Sequence, residues 1–281
     1  MSAPTATRTV HIVDGPFGGQ DWTFPYYLGN ARPNPSFGQI QEIRSSISSW
    51  YNALVLQLNR RLTGGLQFQA SYTLSKSQDE GQNSQTFTPN FSAPFDPLNQ
   101  RGESSYSQFD RRHKFVASVV YNTNFASLKD NRVGRAIFNG WTIAPIVNMF
   151  SGARFTGNTS GSNVSSVFGF SQAGGVNGSN GSLRFALVPN NFFKQPPIKY
   201  VDLRLSRRFR ITEKSHLELL AEGFNIFNRT QVTSVNTTIY NISTSGGQVL
   251  ATFNPAFGTT TGADGFFFRE RQIQLGVRFQ F

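Results

Sequence analysis

From Gln272 to Phe281 every position alternates. One parity reads Ile273, Leu275, Val277, Phe279, Phe281, and the other reads Gln272, Gln274, Gly276, Arg278, Gln280. Successive side chains of a strand point to opposite faces, so this segment has one wholly apolar and one wholly polar side. Gly65 to Ser75 repeats the pattern, with Leu66, Phe68, Ala70, Tyr72 and Leu74 against Gln67, Gln69, Ser71, Thr73 and Ser75. Five further segments follow it less strictly: Tyr51–Leu62, Arg112–Asn122, Trp141–Phe150, Tyr200–Ile211 and His216–Phe227. The last is the weakest, because Leu220, Phe224 and Ile226 share a parity with Glu218 and Glu222.

Length is what constrains the fold. Soluble strands typically run about 5–6 residues, whereas a tilted strand needs about 9–11 to cross a bilayer. The polar parity (Gln, Ser, Thr, Arg, Glu) is too hydrophilic for a packed core and suits a wet interior, which leaves the apolar parity for lipid. Only a closed sheet satisfies its backbone groups in hydrocarbon. Aromatics near the strand ends (Trp50, Tyr51, Tyr72, Tyr121, Trp141, Phe209, Phe279, Phe281) fit interfacial girdles.

The links between these strands are unequal. Thr63-Gly64-Gly65 and Thr212-Glu213-Lys214-Ser215 are tight turns, Ala126–Asn139 is a medium link, and Lys76–Arg111, Ser151–Lys199 and Asn228–Arg269 are long, Asn/Ser/Gly/Phe-rich and without strong periodicity. Short links alternate with long ones, so all short links fall at one end of the sheet. Short periplasmic turns opposite long extracellular loops are the rule for transmembrane barrels. The predicted class is therefore all-β: an antiparallel transmembrane β-barrel segment of about seven long strands. Bacterial single-chain barrels have an even strand count, so seven predicts an incomplete barrel whose remainder lies N-terminal. Residues 1–37, with Pro25, Pro33 and Pro35, read as a loop-like N-terminal segment, and 38–281 as the C-terminal part of the barrel.

Composition narrows the alternatives. Charged residues are 15% of the chain, against about 25% for ordinary soluble domains, and aromatics are 14%. That is too few charges for a helical bundle and too many aromatics for disorder. No apolar run approaches the roughly 20 residues of a membrane helix. The absence of Cys excludes disulfides, thiolate metal sites and Cys nucleophiles. The net charge of +11 raises nucleic acid as a partner, but the basic residues are scattered over separate strands rather than clustered on one face, so none is expected.

Several phrases resemble the late barrel of TonB-dependent outer-membrane receptors, specifically the large Oar-like group that carries a carboxypeptidase-regulatory-like domain. They are Ser49-Trp50-Tyr51-Asn52-Ala53-Leu54, Arg60-Arg61-Leu62-Thr63-Gly64-Gly65-Leu66, Ser71-Tyr72-Thr73-Leu74-Ser75-Lys76-Ser77, Phe109-Asp110-Arg111-Arg112-His113-Lys114-Phe115, Gly140-Trp141, Ser151-Gly152 and Glu222-Gly223-Phe224-Asn225-Ile226-Phe227-Asn228. The ending Val277-Arg278-Phe279-Gln280-Phe281 resembles the terminal-Phe signal read by the outer-membrane assembly machinery. The resemblance covers about 38–281. It implies the last seven strands of a 22-stranded barrel with a plugged lumen, located in the outer membrane and taking up a bulky solute of unknown identity. The plug, energy-coupling box and regulatory-like domain of the family are not in this sequence, so contact with the TonB complex would run only through missing N-terminal parts. A surface-exposed all-β binding module, an adhesin or glycan binder, is the competing reading.

The candidate lumen-facing residues are Gln67, Gln69, Asp202, Arg204, Arg208, Gln272, Gln274 and Arg278, and the candidate assembly signal is Phe279 with Phe281. Outer-membrane lipid and the assembly machinery are the other expected partners. No catalytic residue, cofactor or metal is expected. His11, His113 and His216 have no metal-binding spacing, and nothing selects a nucleophile, base and orienter. The pairs Arg60-Arg61, Arg111-Arg112 and Arg207-Arg208 read as one snorkelling and one solvated guanidinium each. Asp96, Asn99, Arg101, Glu103 and Asp110 read as a solvated loop, with a polar network or cation site as the sharper alternative.

Overall fold

The computed structural model describes residues 6–26, 47–80, 95, 100–161, 176–177, 183–263, 265 and 270–281. In chain order its strands are β1 (Ala6–Ile12), β2 (Asp21–Tyr26), β3 (Ser49–Thr63), β4 (Leu66–Asp79), β5 (Ser105–Tyr106), β6 (His113–Asn122), β7 (Trp141–Phe150), β8 (Arg154–Phe155) and β9 (Asn158–Ser160). There follow β10 (Phe193–Lys194), β11 (Ile198–Arg210), β12 (His216–Phe224), β13 (Val232–Val235), β14 (Thr238–Ser245), β15 (Gln248–Phe253), β16 (Thr260–Ala263) and β17 (Gln272–Gln280). A short helix, α1 (Arg132–Phe138), interrupts the β6–β7 link.

All seven expected long strands are present, and they form one antiparallel wall in the order β17-β12-β11-β7-β6-β4-β3. The register turns sequence parity into two continuous faces. Leu66 pairs Tyr121, Tyr121 pairs Ile143, Ile143 pairs Leu205, Leu205 pairs Ala221, and Ala221 pairs Leu275, giving one apolar row across six strands. A second row runs Leu58, Ala70, Ala117, Val147, Val201. Directly paired residues share a face, so the apolar parities of separate strands add up to one surface. None of that surface is buried: on the edge strands Leu58 is 62% exposed and Leu275 77% exposed, and the row members between them are half-buried. Among the described residues, the buried core contains none of these side chains.

Two local features show the wall adapting to its sequence. Pro145 lacks an N–H, and the β6–β7 pairing passes from Ser118–Ile146 to Tyr121–Ile143 across it. In β12 the polar parity carries Leu220, which pairs with Gly276 and lies 3.7 Å from where a Cβ there would stand. The glycine makes room for an apolar side chain on the otherwise polar face, and this is why β12 was the weakest strand in the sequence.

The long-loop end is not loop throughout. A second, five-stranded sheet in the order β2-β1-β15-β14-β9 is assembled from the N-terminal segment and from the second and third long segments. Its buried side holds Val10, Ile12, Trp22, Phe24, Ile239, Tyr240, Ile242 and Ala251, with Phe95, Val176, Phe185 and Val188 from the long segments packed on it. Trp22 meets Phe185 edge-on with ring centroids 5.1 Å apart, and Phe185 meets Tyr240 at 4.8 Å. This corrects the expectation of a loop over residues 1–37 within Ala6–Tyr26, and the expectation of structureless long segments. These strands are short, so their alternation covers too few residues to stand out. Pro25 sits on β2, a sheet edge, where proline is tolerated.

Candidate functional site

Two polar regions stand out: the polar face of the wall, and the buried ion pairs that join the long segments to one another and to the wall.

On the wall, every candidate lumen-facing residue falls on the same face. Gln69 pairs Ser118, Ser118 pairs Ile146, and Ile146 pairs Asp202. Arg204 pairs Glu222, which pairs Gln274; Arg208 pairs Glu218, which pairs Arg278. Gln67 lies two residues from Gln69 on β4 and Gln272 two from Gln274 on β17, so each shares its neighbour's face. The charges interlock. Arg204 lies 3.7 Å from Glu222 and 4.0 Å from Glu218, and Glu218 reaches Arg278 at 3.7 Å. Glu218 is buried among them while both arginines keep access to solvent. The resulting ladder alternates in sign along one stripe, so it can hold polar solutes through either charge. At the short-link end Gln67 and Gln69 line a shallow cleft with Asn59, Arg60, Arg61 and Phe68.

The aromatic girdle is only partly as expected. Trp50, Tyr72, Tyr121, Trp141, Phe209 and Phe279 take the apolar parity of their strands, but Tyr51 pairs Ser77 and stands on the polar face. Phe279 and Phe281 stack at the short-link end with centroids 6.0 Å apart, and Phe281 is almost wholly exposed.

The first long segment is where the solvated-loop expectation fails. Glu103 and Asp110 are buried and paired. Arg184 donates to Glu103 at 2.8 Å, and the same carboxylate accepts from Phe95 N–H at 2.9 Å and from the Asn190 amide at 2.8 Å. Arg154 Nε donates to Asp110 at 2.9 Å, and Asp110 also accepts from the Ser77 N–H at the end of β4. Burial lowers the Arg184 guanidinium's pKa, and the adjacent Glu103 acts in the opposite direction. Burying an acid is tolerable only when its charge is paired and its lone pairs are filled. The arginines that do this lie about 44 and 81 residues away in sequence, which linear spacing cannot reveal. Asp96 and Asn99 lie outside the described residues, as does the side chain of Arg101.

Asn225 forms a third joint. Its backbone is left-handed at φ 47°, its N–H donates to Asp202 at 2.9 Å, and its amide bridges the N–H and C=O of Arg229. The phrase Gly223-Phe224-Asn225-Ile226-Phe227-Asn228 is thus the tight exit from β12 into the third long segment. Arg271 donates to Asn228 at 3.0 Å and brings the chain back toward β17.

The basic pairs behave differently from one another. Arg207 lies on the apolar face, 5.3 Å from the Trp141 ring and 5.0 Å from that of Phe209, and donates to the Ala136 and Ile137 carbonyls of α1. Arg208 faces the ladder. The histidines are far apart: His11 bonds Asp21 at 2.8 Å, His113 bonds Tyr72 at 2.8 Å, and His216 sits at the start of β12. Among the described residues no group of three or more acidic or imidazole side chains could hold a metal ion.

These features carry one meaning together: a sheet with an unburied apolar face, a charged opposite face and all its short links at one end. A family model described as an outer membrane beta barrel domain matches residues 19–274. Comparisons with curated proteins and with solved structures returned no match. The match begins in the turn before β2 and runs through all but the end of β17, so it takes in the wall and every strand of the second sheet except β1. The chain belongs to the outer membrane β-barrel domain family and resides in the outer membrane.

Proposed function

We propose that this chain forms part of the barrel wall and outer surface of a TonB-dependent receptor that takes up a bulky solute. The observation that most supports the reading is the second sheet. The N-terminal hairpin and the long segments close over one aromatic core and are pinned to the wall through Asp110. That is a preorganised layer at the extracellular end, suited to selecting a solute before it enters. Beneath it Gln67, Gln69, Asp202, Arg204, Arg208, Gln272, Gln274 and Arg278 face the lumen and offer the solute both charges and amides. The outer edges of β3 and β17, which end the sheet among the described residues, join further strands to close a barrel of the large class.

In this reading the chain performs no bond chemistry. Phe279 and Phe281 present the assembly signal, and coupling to the TonB complex runs through parts outside this sequence. The test is accumulation of siderophore, oligosaccharide and peptide mixtures by cells that carry or lack the intact protein. The expected result is uptake of one class that stops when TonB or the proton-motive force is removed. Uptake that continues without energy would replace the receptor with a passive pore. A second reading, a surface-exposed binding module, is favoured by the outer layer having a hydrophobic core of its own; binding without any uptake would select it.

A further inference from the structure

We propose that α1 and the residues around it form an anchor for anionic phospholipid in the periplasmic leaflet of the outer membrane. The argument starts from where α1 is held. The helix lies in the β6–β7 link at the short-link, periplasmic end. Asn131 caps its start by accepting from Gly134 N–H at 2.8 Å, which fixes a helix too short to persist alone. Its last carbonyls are held from the lipid side of the wall: the Trp141 indole donates to Ile137 C=O at 2.7 Å, and Arg207 donates to the Ala136 and Ile137 carbonyls. Trp141 and Arg207 pair across β7 and β11 on the apolar face, so α1 is clamped against the outside of the barrel wall.

Held there, it presents Val133 and Ile137, one turn apart, with 68% and 52% of each exposed. Phe138 and Phe125 are exposed beside them. These side chains continue the unburied apolar surface of β7 and β11 beyond its periplasmic edge. Apolar side chains fixed against a lipid-facing wall are covered by lipid, while the neighbouring charges select which lipid. Within the β6–β7 link the exposed Lys129, Arg132 and Arg135 stand against the exposed Asp130. An exposed apolar helix face in a link that carries an excess of exposed cations fits acyl chains under phosphate-bearing, net-negative headgroups.

The experiment uses the intact protein in native outer membranes. A photoreactive benzoylphenylalanine replaces Ile137, and the cross-linked products are identified by mass. The expected product is phospholipid, with phosphatidylglycerol and cardiolipin enriched about threefold or more over their bulk share, since each basic residue near the surface adds to the attraction. The combined Lys129→Gln, Arg132→Gln and Arg135→Gln change, confined to exposed side chains, should bring that enrichment back to the bulk ratio. Cross-linking to protein only, no cross-link at all, phospholipid in bulk proportion, or enrichment unchanged in the triple variant would each overturn the proposal.

Discussion

Arg154 and Asp110 meet at 2.9 Å with only 5% and 1% of their side chains exposed. Around this contact three parts of the chain are joined. Asp110 accepts from Ser77 N–H at the end of β4, and Arg154 donates to the Phe192 carbonyl and lies 3.5 Å from the Tyr106 ring centre. The pair is the joint by which the second long segment is set on the first and both on the wall.

Removing one member should therefore loosen the outer layer and leave the wall intact. Arg154→Met strands a buried carboxylate, at a cost of about 3–5 kcal/mol. Adding Asp110→Leu removes the stranded charge and should recover much of that loss, less about 1–3 kcal/mol for the Ser77 N–H left without its acceptor. Hydrogen exchange resolves the two regions. Residues 183–193 should lose protection in the single variant while β6 and β7 keep theirs. Loss of equal size in both regions would show that the pair supports the wall itself.

Facing can be tested on one strand with a single pair of changes. Leu275 belongs to the six-strand apolar row and Gln274 to the charged ladder next to it. Arginine at 275 meets hydrocarbon near mid-strand and should cost about 2–4 kcal/mol, while arginine at 274 adds to a wet, already charged stripe and should be far milder. Assembly level and denaturant midpoint of the intact barrel read the difference. Equal damage from the two would reverse the assignment of the faces.

The wall was legible because each strand repeats its parity over ten or so positions, and an error at one position, such as Pro145 or Leu220, cannot shift the phase of the rest. The same averaging hid the outer sheet. Its strands carry three or so inward side chains apiece, as in Val10 and Ile12 or Trp22, Phe24 and Tyr26, and two of its pairings are parallel between segments more than 70 residues apart. The ion pairs were hidden for the same reason: Glu103 and Asp110 look like loop acids until the partners arrive from another segment. Several phrases could be seen in the sequence without their purpose being visible. Ser151-Gly152 is one. A Cβ on Gly152 would stand 1.7 Å from the Gln195 carbonyl oxygen.

That close approach gives a sharp expectation. Gly152→Ala must push the 195–196 backbone away from the exit of β7, and overpacking of this kind costs about 1–3 kcal/mol or more. The shift acts at the β8–β10 pairing of Arg154 with Lys194, next to the Asp110 joint. Limited proteolysis should cut the second long segment sooner than in the wild type. Gly246→Ala is the control, since nothing lies within 4 Å of its Cβ position, and the strain at its φ of 57° stays within a surface turn. An Ala at 152 that is tolerated better than one at 246 would contradict the packing.

Tyr240 supplies a pH dependence for the outer layer. Its ring is fully buried among Phe185 and Phe253, and its hydroxyl donates to Asp14 C=O while accepting from Phe17 N–H, both at 3.2 Å. Burial raises the phenol pKa, the Asp14 charge adds to the rise, and the Phe17 N–H opposes it. The folded layer therefore holds the proton more tightly than the unfolded chain does. Its contribution is fully present below the unfolded value near 10 and is lost as pH rises from there through the folded pKa. Outer-layer protection, followed by hydrogen exchange or Trp22 fluorescence, should fall above about pH 10 in the wild type. Tyr240→Phe keeps the ring, loses the hydrogen bonds to the 14–17 turn, and should flatten that fall while lowering stability at neutral pH by about 0.5–1.5 kcal/mol. A fall of the same size in the variant would assign the alkaline step to another group.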